Sequence, residues 1–374
     1  MTNQKTKQLT KEWQTKTLGK VCEKGSSNIS LNKIKDNEGE YSIYGAKGFL
    51  KKVDFYHQDK PYISIIKDGA GVGRINLQKE KSSVIGTLQY LIPSNEVNIN
   101  FLYYFLLGID FKKYSCGAAI PHIYFKDYSK EEIPIPSLPT QKQIVKILDK
   151  TFESISKSKE NAEKNLKNAK ELFGSYLEEV FSNPKKDWEE KKLGEVCGVI
   201  AGQSPEGKYY NKNGEGLPFY QGKKEYGLKY LGKPNTWTTR ITKEAEKGDI
   251  LMSVRAPVGP INFSTQKICI GRGLAAIRGE KKIDREFLFY HLLKHEKSIT
   301  GNTGAVFNSI NKSQIENINL IVPSLSEQTL IVSKLDSLSK EIKELETIYK
   351  QKIKDLDELK KSMLQKAFSG ELND

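Results

Sequence analysis

An internal repeat constrains the fold of this chain more than any other feature, because two copies of one unit must fold in the same way. Residues 13–22, WQTKTLGKVC, return as residues 188–197, WEEKKLGEVC. Residues 101–107, FLYYFLL, return as residues 287–293, FLFYHLL. The chain is therefore predicted to consist of two diverged copies, each a globular part followed by a helix.

Further segments match in the same order along both copies. These pairs are residues 72–76 with 258–262, 117–123 with 304–310, 136–141 with 323–328, and 172–182 with 359–369. Residues 23–71 and 198–257, by contrast, differ in length and in sequence. A repeated frame with divergent loops is typical of a protein that recognises two different targets with one scaffold.

Each copy ends in a segment with the pattern of a long amphipathic helix. Residues 141–182 contain no proline and a single glycine, and their apolar stripe is Ile144, Leu148, Ile155, Ala162, Leu166, Ala169, Phe173, Tyr176 and Val180. The second segment steps by four and three residues, as a heptad seam does: Ile331, Leu335, Leu338, Ile342, Leu345, Tyr349, Lys352, Leu356, Leu359 and Met363. The sequence thus predicts globular domains at 1–140 and 183–326 and spacer helices at 141–182 and 327–374.

A long helix with a narrow apolar stripe needs a partner, and the only comparable surface in the sequence is the other helix. If a two-fold axis relates the copies, the helices form an antiparallel coiled coil with a globular domain at each end. The alternative, generic oligomerisation helices, does not account for the duplication.

The globular parts combine short strands with buried helices. Residues 62–66, 89–92 and 249–254 have strand-like runs, whereas residues 101–107 and 287–293 are apolar at nearly every position and predict buried helices. The predicted fold class is α+β, with two mixed domains joined by two long antiparallel helices in pseudo-two-fold symmetry.

The charge distribution separates the helices from the globular parts. The formal net charge is +14, yet residues 141–182 carry 8 lysines against 7 acids and residues 327–372 carry 9 against 9. The basic surplus therefore lies mainly in the globular parts, which favours a polyanionic partner there. The N-terminus has no apolar signal segment, so we expect a cytoplasmic protein, with four cysteines buried as small apolar side chains.

Basic and amide side chains beside aromatic ones are what recognition of DNA requires, because cations neutralise phosphates and arginine or amide groups pair with base edges. The candidate contacts are Lys47, Lys51, Lys67 and Arg74 in the first copy, and Gln221, Lys223, Lys224, Trp237, Arg240 and Arg255 in the second. For any one of them, an ordinary solvated loop is the alternative.

Each candidate motif for catalysis, cofactor binding or metal binding lacks a residue or a structural context that its chemistry requires. The glycine string at residues 68–73 is followed by strand-like residues rather than a helix, and residues 227–233 resemble a phosphate loop but continue into Pro234. His291 and His295 have helical metal-ligand spacing but no third ligand, and His291 aligns with Phe105, a packing position. His57 and His122 are isolated in sequence. We predict no catalytic, cofactor or metal site in this chain.

The ordered set of motifs resembles the specificity (S) subunit of Type I restriction-modification enzymes over essentially the whole chain. The resemblance rests on the paired LGKVC and LGEVC openings, on GLPFYQ at 216–221 and KGDILMSVR at 247–255, and on TGAVFNSI at 303–310, IVPSLSEQTLI at 321–331 and ELKKSMLQKAFS at 358–369. The first copy departs from it at residues 41–48, where YSIYGAKG stands in place of GLPF, so base-contacting residues there are left unassigned.

The resemblance implies a non-catalytic subunit of a methyltransferase and endonuclease complex. Each globular domain would read one half of a bipartite double-stranded DNA target, and the helices would set the spacer. Two methyltransferase (M) subunits would dock on the chain and carry S-adenosylmethionine, and restriction (R) subunits would supply ATP- and Mg-dependent activity. The alternatives are a self-contained DNA methyltransferase and a coiled-coil scaffold without DNA sequence preference.

Overall fold

A computed structural model of the chain describes residues 13–117, 119–299 and 309–372. The chain divides into two compact units. Unit 1 comprises Met1–Glu163 with Lys350–Asp374, and unit 2 comprises Lys164–Tyr349. Most of the TGAVFNSI motif lies outside the described residues, with only Ser309 and Ile310 inside them.

Unit 1 begins with a globular part, which we call the first head. Its strands are β1 (Gln14–Thr17), β2 (Cys22–Ser26), β3 (Tyr41–Gly45), β4 (Gly48–Val53), β5 (Tyr62–Ile66), β6 (Ile75–Gln78), β7 (Ser82–Val84), β8 (Leu88–Pro93) and β9 (Glu132–Ile135). Its helices are α1 (Leu18–Val21), α2 (Leu31–Ile34), α3 (Ile99–Leu107) and α4 (Phe125–Tyr128). The strands form sheets in the orders β2-β8-β5-β6, β4-β3-β7 and β1-β9.

The two inner strands of the β2-β8-β5-β6 sheet, β8 and β5, are buried on both faces, which explains their apolar runs. Ile63 and Ile65 of β5 point into the core that contains α3, whereas Tyr62 and Ile66 point into a second cluster with the β4-β3-β7 sheet. All five residues of β5 are buried. The predicted strand at residues 62–66 and the predicted helix over 101–107 are confirmed.

Unit 2 contains the second head, at residues 183–324. Its strands are β10 (Glu189–Lys192), β11 (Cys197–Ala201), β12 (Tyr210–Asn211), β13 (Leu217–Tyr220), β14 (Trp237–Thr238), β15 (Glu244–Ala245), β16 (Ile250–Ser253), β17 (Ile261–Phe263), β18 (Ile268–Ile270), β19 (Leu274–Gly279) and β20 (Asn319–Val322). Its helices are α6 (Leu193–Val196), α7 (Arg285–Ile299) and α8 (Lys312–Glu316). The sheets have the orders β11-β19-β16-β17, β12-β14-β13-β18-β15 and β10-β20.

Two of the three sheets correspond between the heads. The order β2-β8-β5-β6 is repeated as β11-β19-β16-β17, and β1-β9 is repeated as β10-β20. The remaining sheet has three strands in the first head and five in the second. The additional strands come from the longer stretch at residues 198–257, so the unequal length seen in the sequence enlarges one sheet.

Two long helices run through the chain, α5 (Leu138–Ser182) and α9 (Leu325–Phe368). In unit 1, the Lys360 ammonium lies over the ring of Phe152, and Lys159 Nζ lies 2.7 Å from Asp357. The later residue of α5 therefore pairs with the earlier residue of α9, so the two helix segments within unit 1 run antiparallel. Neither helix, nor any other helix in the described ranges, is long and apolar enough to cross a membrane.

The predicted stripe of α5 is buried or half-buried at all nine positions. The predicted seam of α9 is wrong in its middle, because Leu345, Lys352 and Leu359 are exposed. The inward-facing stripe passes instead through Glu346, Ile353 and Lys360, each one residue later. The heptad spacing favoured a leucine at two of these positions and Lys352 at the third. The structure instead half-buries Ile353 and the long side chains of Glu346 and Lys360, whose aliphatic parts can line a helix seam.

One glutamine at the start of each long helix fastens it to its head. Gln141 Oε1 accepts from Asn98 N–H at 2.7 Å, and its amide donates to the carbonyls of Glu96 and Pro136, both at 2.9 Å. Gln328 repeats the arrangement with Asp284 N–H at 2.7 Å and the carbonyls of Lys282 and Pro323. Both glutamines are fully buried, so each satisfies backbone groups that water cannot reach. The repeated motif that ends in Gln141 and Gln328 is thus a structural joint.

Three of the four cysteines match the expectation of burial, and Cys116 does not. Burial raises the pKa of the Cys22 and Cys197 thiols to about 12, which keeps them protonated and unreactive. Cys116 is exposed, because it lies in an irregular segment that pairs with the backbone of His122 instead of entering a sheet interior.

Candidate functional site

A cleft in the second head brings together three of the predicted contact residues. Gln221, Lys223 and Arg255 line a cavity of about 170 Å³, and Arg272 lines it with them. Gln221 follows β13, Lys223 begins a short 3-10 turn at Lys223–Glu225, and Arg255 follows β16. Three cations and an amide on strand ends can bind phosphate oxygens and pair with base edges.

The backbone at Gly271–Gly273 shapes this cleft. A Cβ atom at Gly273 would lie 2.2 Å from the Gln221 carbonyl oxygen, so only glycine allows the two segments to approach so closely. Ser204 Oγ accepts from the Arg272 N–H at 3.1 Å and fixes the residue between the two glycines. Arg272 was missed in the sequence, although a glycine on each side of an arginine is a usable signal for a shaped, exposed turn.

The other predicted residues of the second head lie apart from this cleft. Lys224 is exposed on the same 3-10 turn, and Trp237 is half-buried in β14 between β12 and β13. Arg240 stacks over the ring of Tyr209 at 5.3 Å and lies 3.7 Å from a Glu206 oxygen. Arg240 is therefore held by neighbours within its own head, and its role in binding stays a prediction.

In the first head, Lys47 and Arg74 come together at one cavity. Lys47 lies in the turn between β3 and β4, and Arg74 lies at the end of the glycine-rich turn before β6. Both line a cavity of about 390 Å³, with Asn76 among its other lining residues. The Arg74 guanidinium donates to the carbonyls of Gly71 and Ala46, each at 3.4 Å, so it links the two turns.

Lys51 and Lys67 are engaged within the head. Lys51 Nζ donates to the Lys35 carbonyl at 3.0 Å, and Lys67 Nζ lies 3.8 Å from Asp68 Oδ2. Neither is among the residues that line the cavity with Arg74. Of the four contacts predicted for this head, the structure brings two together.

His122, isolated in sequence, is paired in the structure. Its Nδ1 hydrogen-bonds to Asp68 Oδ1, and its ring packs edge-on to Tyr124 with centroids 4.1 Å apart. Asp68 is the first residue of the glycine string, which forms a turn followed by β6, as predicted. Gly73 adopts φ +83° there and abuts Phe111, so a side chain at Gly73 would clash.

The histidine pair of α7 is structural. Ile321 N–H donates to His291 Nε2 at 3.1 Å, and the rings of His291 and His295 stack at 5.2 Å. Burial, with the nearby charges of His295 and Lys294, lowers the pKa of His291 to about 3, so its ring is neutral. Within residues 13–117, 119–299 and 309–372, no group of three or more metal-ligating side chains is found.

Comparison with known proteins gives one consistent result. The family described as "Type I restriction modification DNA specificity domain" matches residues 10–167 and again residues 185–355. The two matches follow the two copies of the repeat and together span most of the chain.

A putative type I restriction enzyme MjaX specificity subunit from Methanocaldococcus jannaschii is 38% identical over 258 residues, which span 64% of this chain and 59% of that relative. A chain from a solved type I R-M system, studied for complex assembly and conformational transition, superposes with a TM-score of 0.82 at 27% identity. That alignment covers 96% of this chain and 98% of the other. The HsdS subunit from Thermoanaerobacter tengcongensis superposes with a TM-score of 0.64 at 26% identity, and the alignment covers 96% of this chain and 97% of that subunit.

Proposed function

Because the chain belongs to the Type I restriction-modification DNA specificity family, we propose that it is the subunit that selects the DNA sequence on which such a complex acts. Each head reads one half of a bipartite double-stranded target. The long helices set the separation of the halves and provide docking surfaces for methyltransferase subunits. The chain carries no chemistry of its own in this proposal and acts on chromosomal DNA in the cytoplasm.

The observation that carries the proposal is the contrast between shared frame and divergent surface. Both heads share two corresponding sheets, an equivalent buried glutamine and the same helix joint. Their exposed donors differ: Lys47 with Arg74 in the first head, and the Gln221 amide with the cations Lys223, Arg255 and Arg272 in the second. One frame that carries two different sets of donors suits a target with two different halves.

Exposed apolar residues on the long helices support a role in docking protein partners. Leu172 of α5 is 55% exposed, and Leu330 and Ile348 of α9 are 55% and 57% exposed. Large apolar side chains on a charged helix are suited to burial against another protein. We assign this surface to methyltransferase subunits that bring S-adenosylmethionine, with restriction subunits adding ATP- and Mg-dependent activity where they are present.

Long-read methylation mapping of the source genome tests the proposal. We expect a split adenine-methylation motif in the wild type that disappears when this gene is deleted and returns when the gene is restored. Expression of the methyltransferase gene is checked in each strain, so that a silent partner is recognised. An unchanged methylome in a strain with an expressed methyltransferase would contradict the proposal. Methylation by the purified chain alone would instead indicate a self-contained methyltransferase.

A further inference from the structure

Asp68 and Arg255 occupy the same place in the two heads. Asp68 forms an isolated antiparallel bridge with His122, and Arg255 forms one with Ser309. The preceding residues, Lys67 and Val254, also accept equivalent backbone hydrogen bonds. Ile123 N–H donates to the Lys67 carbonyl, and Ile310 N–H donates to the Val254 carbonyl, both at 3.0 Å. The frame therefore presents a carboxylate in one head where it presents a guanidinium in the other.

The side-chain pair of Asp68 and His122 is not needed to form this part of the fold. In the second head a serine stands where the first has histidine, and the backbone bridge forms all the same. The hydrogen bond from His122 Nδ1 to Asp68 Oδ1 is thus an addition specific to the first head. A bond that the frame does not require points to a role for the carboxylate itself.

Asp68 lies on the surface that carries the predicted contacts. Its side chain is 29% exposed, and it begins the turn that ends at Arg74. Its counterpart Arg255 is exposed and lines the cleft with Gln221 and Arg272. By the equivalence of the two frames, Asp68 faces the part of the target that Arg255 faces in the second head.

A carboxylate on a surface that meets phosphates is unfavourable unless it accepts a hydrogen bond from a base. In the major groove the exocyclic amino group of cytosine, N4, is the donor that Asp and Glu accept from, whereas arginine pairs with guanine O6 and N7. His122 holds one oxygen of Asp68, and Lys67 Nζ at 3.8 Å offsets part of the charge. The carboxylate is thereby oriented before any DNA arrives.

We propose that Asp68, positioned by His122, reads a cytosine amino group in the half-site of the first head, at the place where Arg255 reads guanine in the half-site of the second. This assignment rests on the proposed function and adds to it the kind of base that each head selects. It makes Asp68 a specificity-determining residue and His122 a positioning residue.

Selection of randomised DNA duplexes by the full chain, followed by sequencing, tests the assignment. In D68N the amide keeps a hydrogen bond to His122 but favours adenine, so the preference for cytosine at one position falls about tenfold and moves towards adenine. The other half-site is unchanged. The matched control D59N removes the same charge from an exposed residue of the same head and alters no base preference.

Variants at His122 separate positioning from folding. His122→Gln retains a donor and keeps the cytosine preference, whereas His122→Leu weakens it while the thermal unfolding temperature stays close to that of the wild type. Equal loss of preference in both variants would overturn the positioning role. If the wild type selects two half-sites and D68N leaves both unchanged, the assignment is wrong and the proposed function stands. If the wild type selects no sequence, both are wrong.

Discussion

The two heads share a frame but differ in how one edge strand of the four-stranded sheet is covered, β6 in the first head and β17 in the second. In the second head, residues 226–232 lie over β17, so Asn262 and Phe263 are 1% and 2% exposed. The corresponding residues of the first head, Asn76 and Leu77 of β6, are exposed. The second head closes this edge with a segment that has no counterpart among the described residues of the first head. The first head instead leaves Asn76 open beside Lys47 and Arg74.

This difference separates what folds a head from what a head recognises. Tyr104 donates to Asp149 in unit 1 as Tyr290 donates to Asp336 in unit 2, and the caps of α3 and α7 are formed alike by Asn98 and Asp284. Such repeated contacts fix the frame. Segments that pack differently around it are free to diverge, and most candidate contacts lie on them, whereas Lys67, Arg74 and Arg255 lie in the turns that follow the corresponding strands β5 and β16.

The largest expected effect concerns Lys229, the residue that fastens the covering segment of the second head. Its Nζ lies 2.7 Å from Glu286 and 3.0 Å from Asp336, over the rings of Phe289 and Tyr290. Burial alone would lower the pKa of Lys229, but the carboxylates of Glu286 and Asp336 raise it, so the lysine is charged. Lys229→Met keeps the packing and removes the cation nearest to Glu286, leaving it with the exposed Arg285 at 3.8 Å, and we expect it to destabilise unit 2 by about 3 kcal/mol.

Hydrogen exchange of amides in β16 and β19, compared with β5 and β8, measures this effect in each unit separately. Lys312→Met is the matched control, because Lys312 forms an exposed pair with Glu316 within one helix. A loss below about 1 kcal/mol in Lys229→Met, or an equal loss in unit 1, would show that the lysine does not anchor the second head.

A smaller effect is expected at His291, which occupies the position of Phe105 in the first copy. His291 packs against Phe181, as Phe105 packs against Phe368 in unit 1. The pKa of His291 is lowered to about 3 from an ordinary value of 6.5, so the unfolded chain binds the proton more readily. The neutral ring contributes fully to the free energy of unfolding above pH 6.5. This stability is lost progressively as the pH falls towards 3, and the loss is about 2 kcal/mol at pH 5.

His291→Phe installs the residue of the first copy and should remove this pH dependence from unit 2. The absolute stability at pH 7 also changes, because Ile321 N–H loses its acceptor. The informative quantity is therefore the difference in unfolding free energy between pH 7 and pH 5, measured by denaturant titration. Unit 1, which carries Phe105, is the internal control. If this difference is as large in the variant as in the wild type, the pH dependence arises from other groups.

The smallest effect is expected where exposed charges meet on the long helices of unit 1. Lys159 and Asp357 are paired at 2.7 Å, with side chains 33% and 52% exposed. Solvent screens such a pair, so Lys159→Met should change the free energy of unfolding by about 0.5 kcal/mol or less, and not at all in 1 M salt. A loss several times larger would show that charge pairs, rather than the apolar stripe, hold these helix segments together.

The sequence predicted the parts of this fold that depend on local pattern. The repeat gave the duplicated frame, β5 and α3 followed from apolar runs, and the stripe of α5 followed from its spacing. The seam of α9 was wrong at Leu345 and Leu359, because amphipathic charged side chains can take inward positions that a count of apolar residues assigns elsewhere.

What the sequence left out depends on contacts between distant segments. The pairing of His122 with Asp68, separated by 54 residues, has no local signature. Arg272 enters the cleft of the second head only because Gly273 lets its turn approach Gln221. The burial of Lys229 requires acids from α7 and α9 to converge. Turns and side-chain pairs of this kind follow from tertiary packing.

A chemical footprint of the full chain on its selected DNA tests the central claim, that two heads on one frame read two separate half-sites. We predict two protected segments with an unprotected gap between them. In Arg255→Ala the protection of one segment weakens, and that of the other stays as in the wild type. A single continuous footprint, or an equal loss of both segments in the variant, would contradict the account.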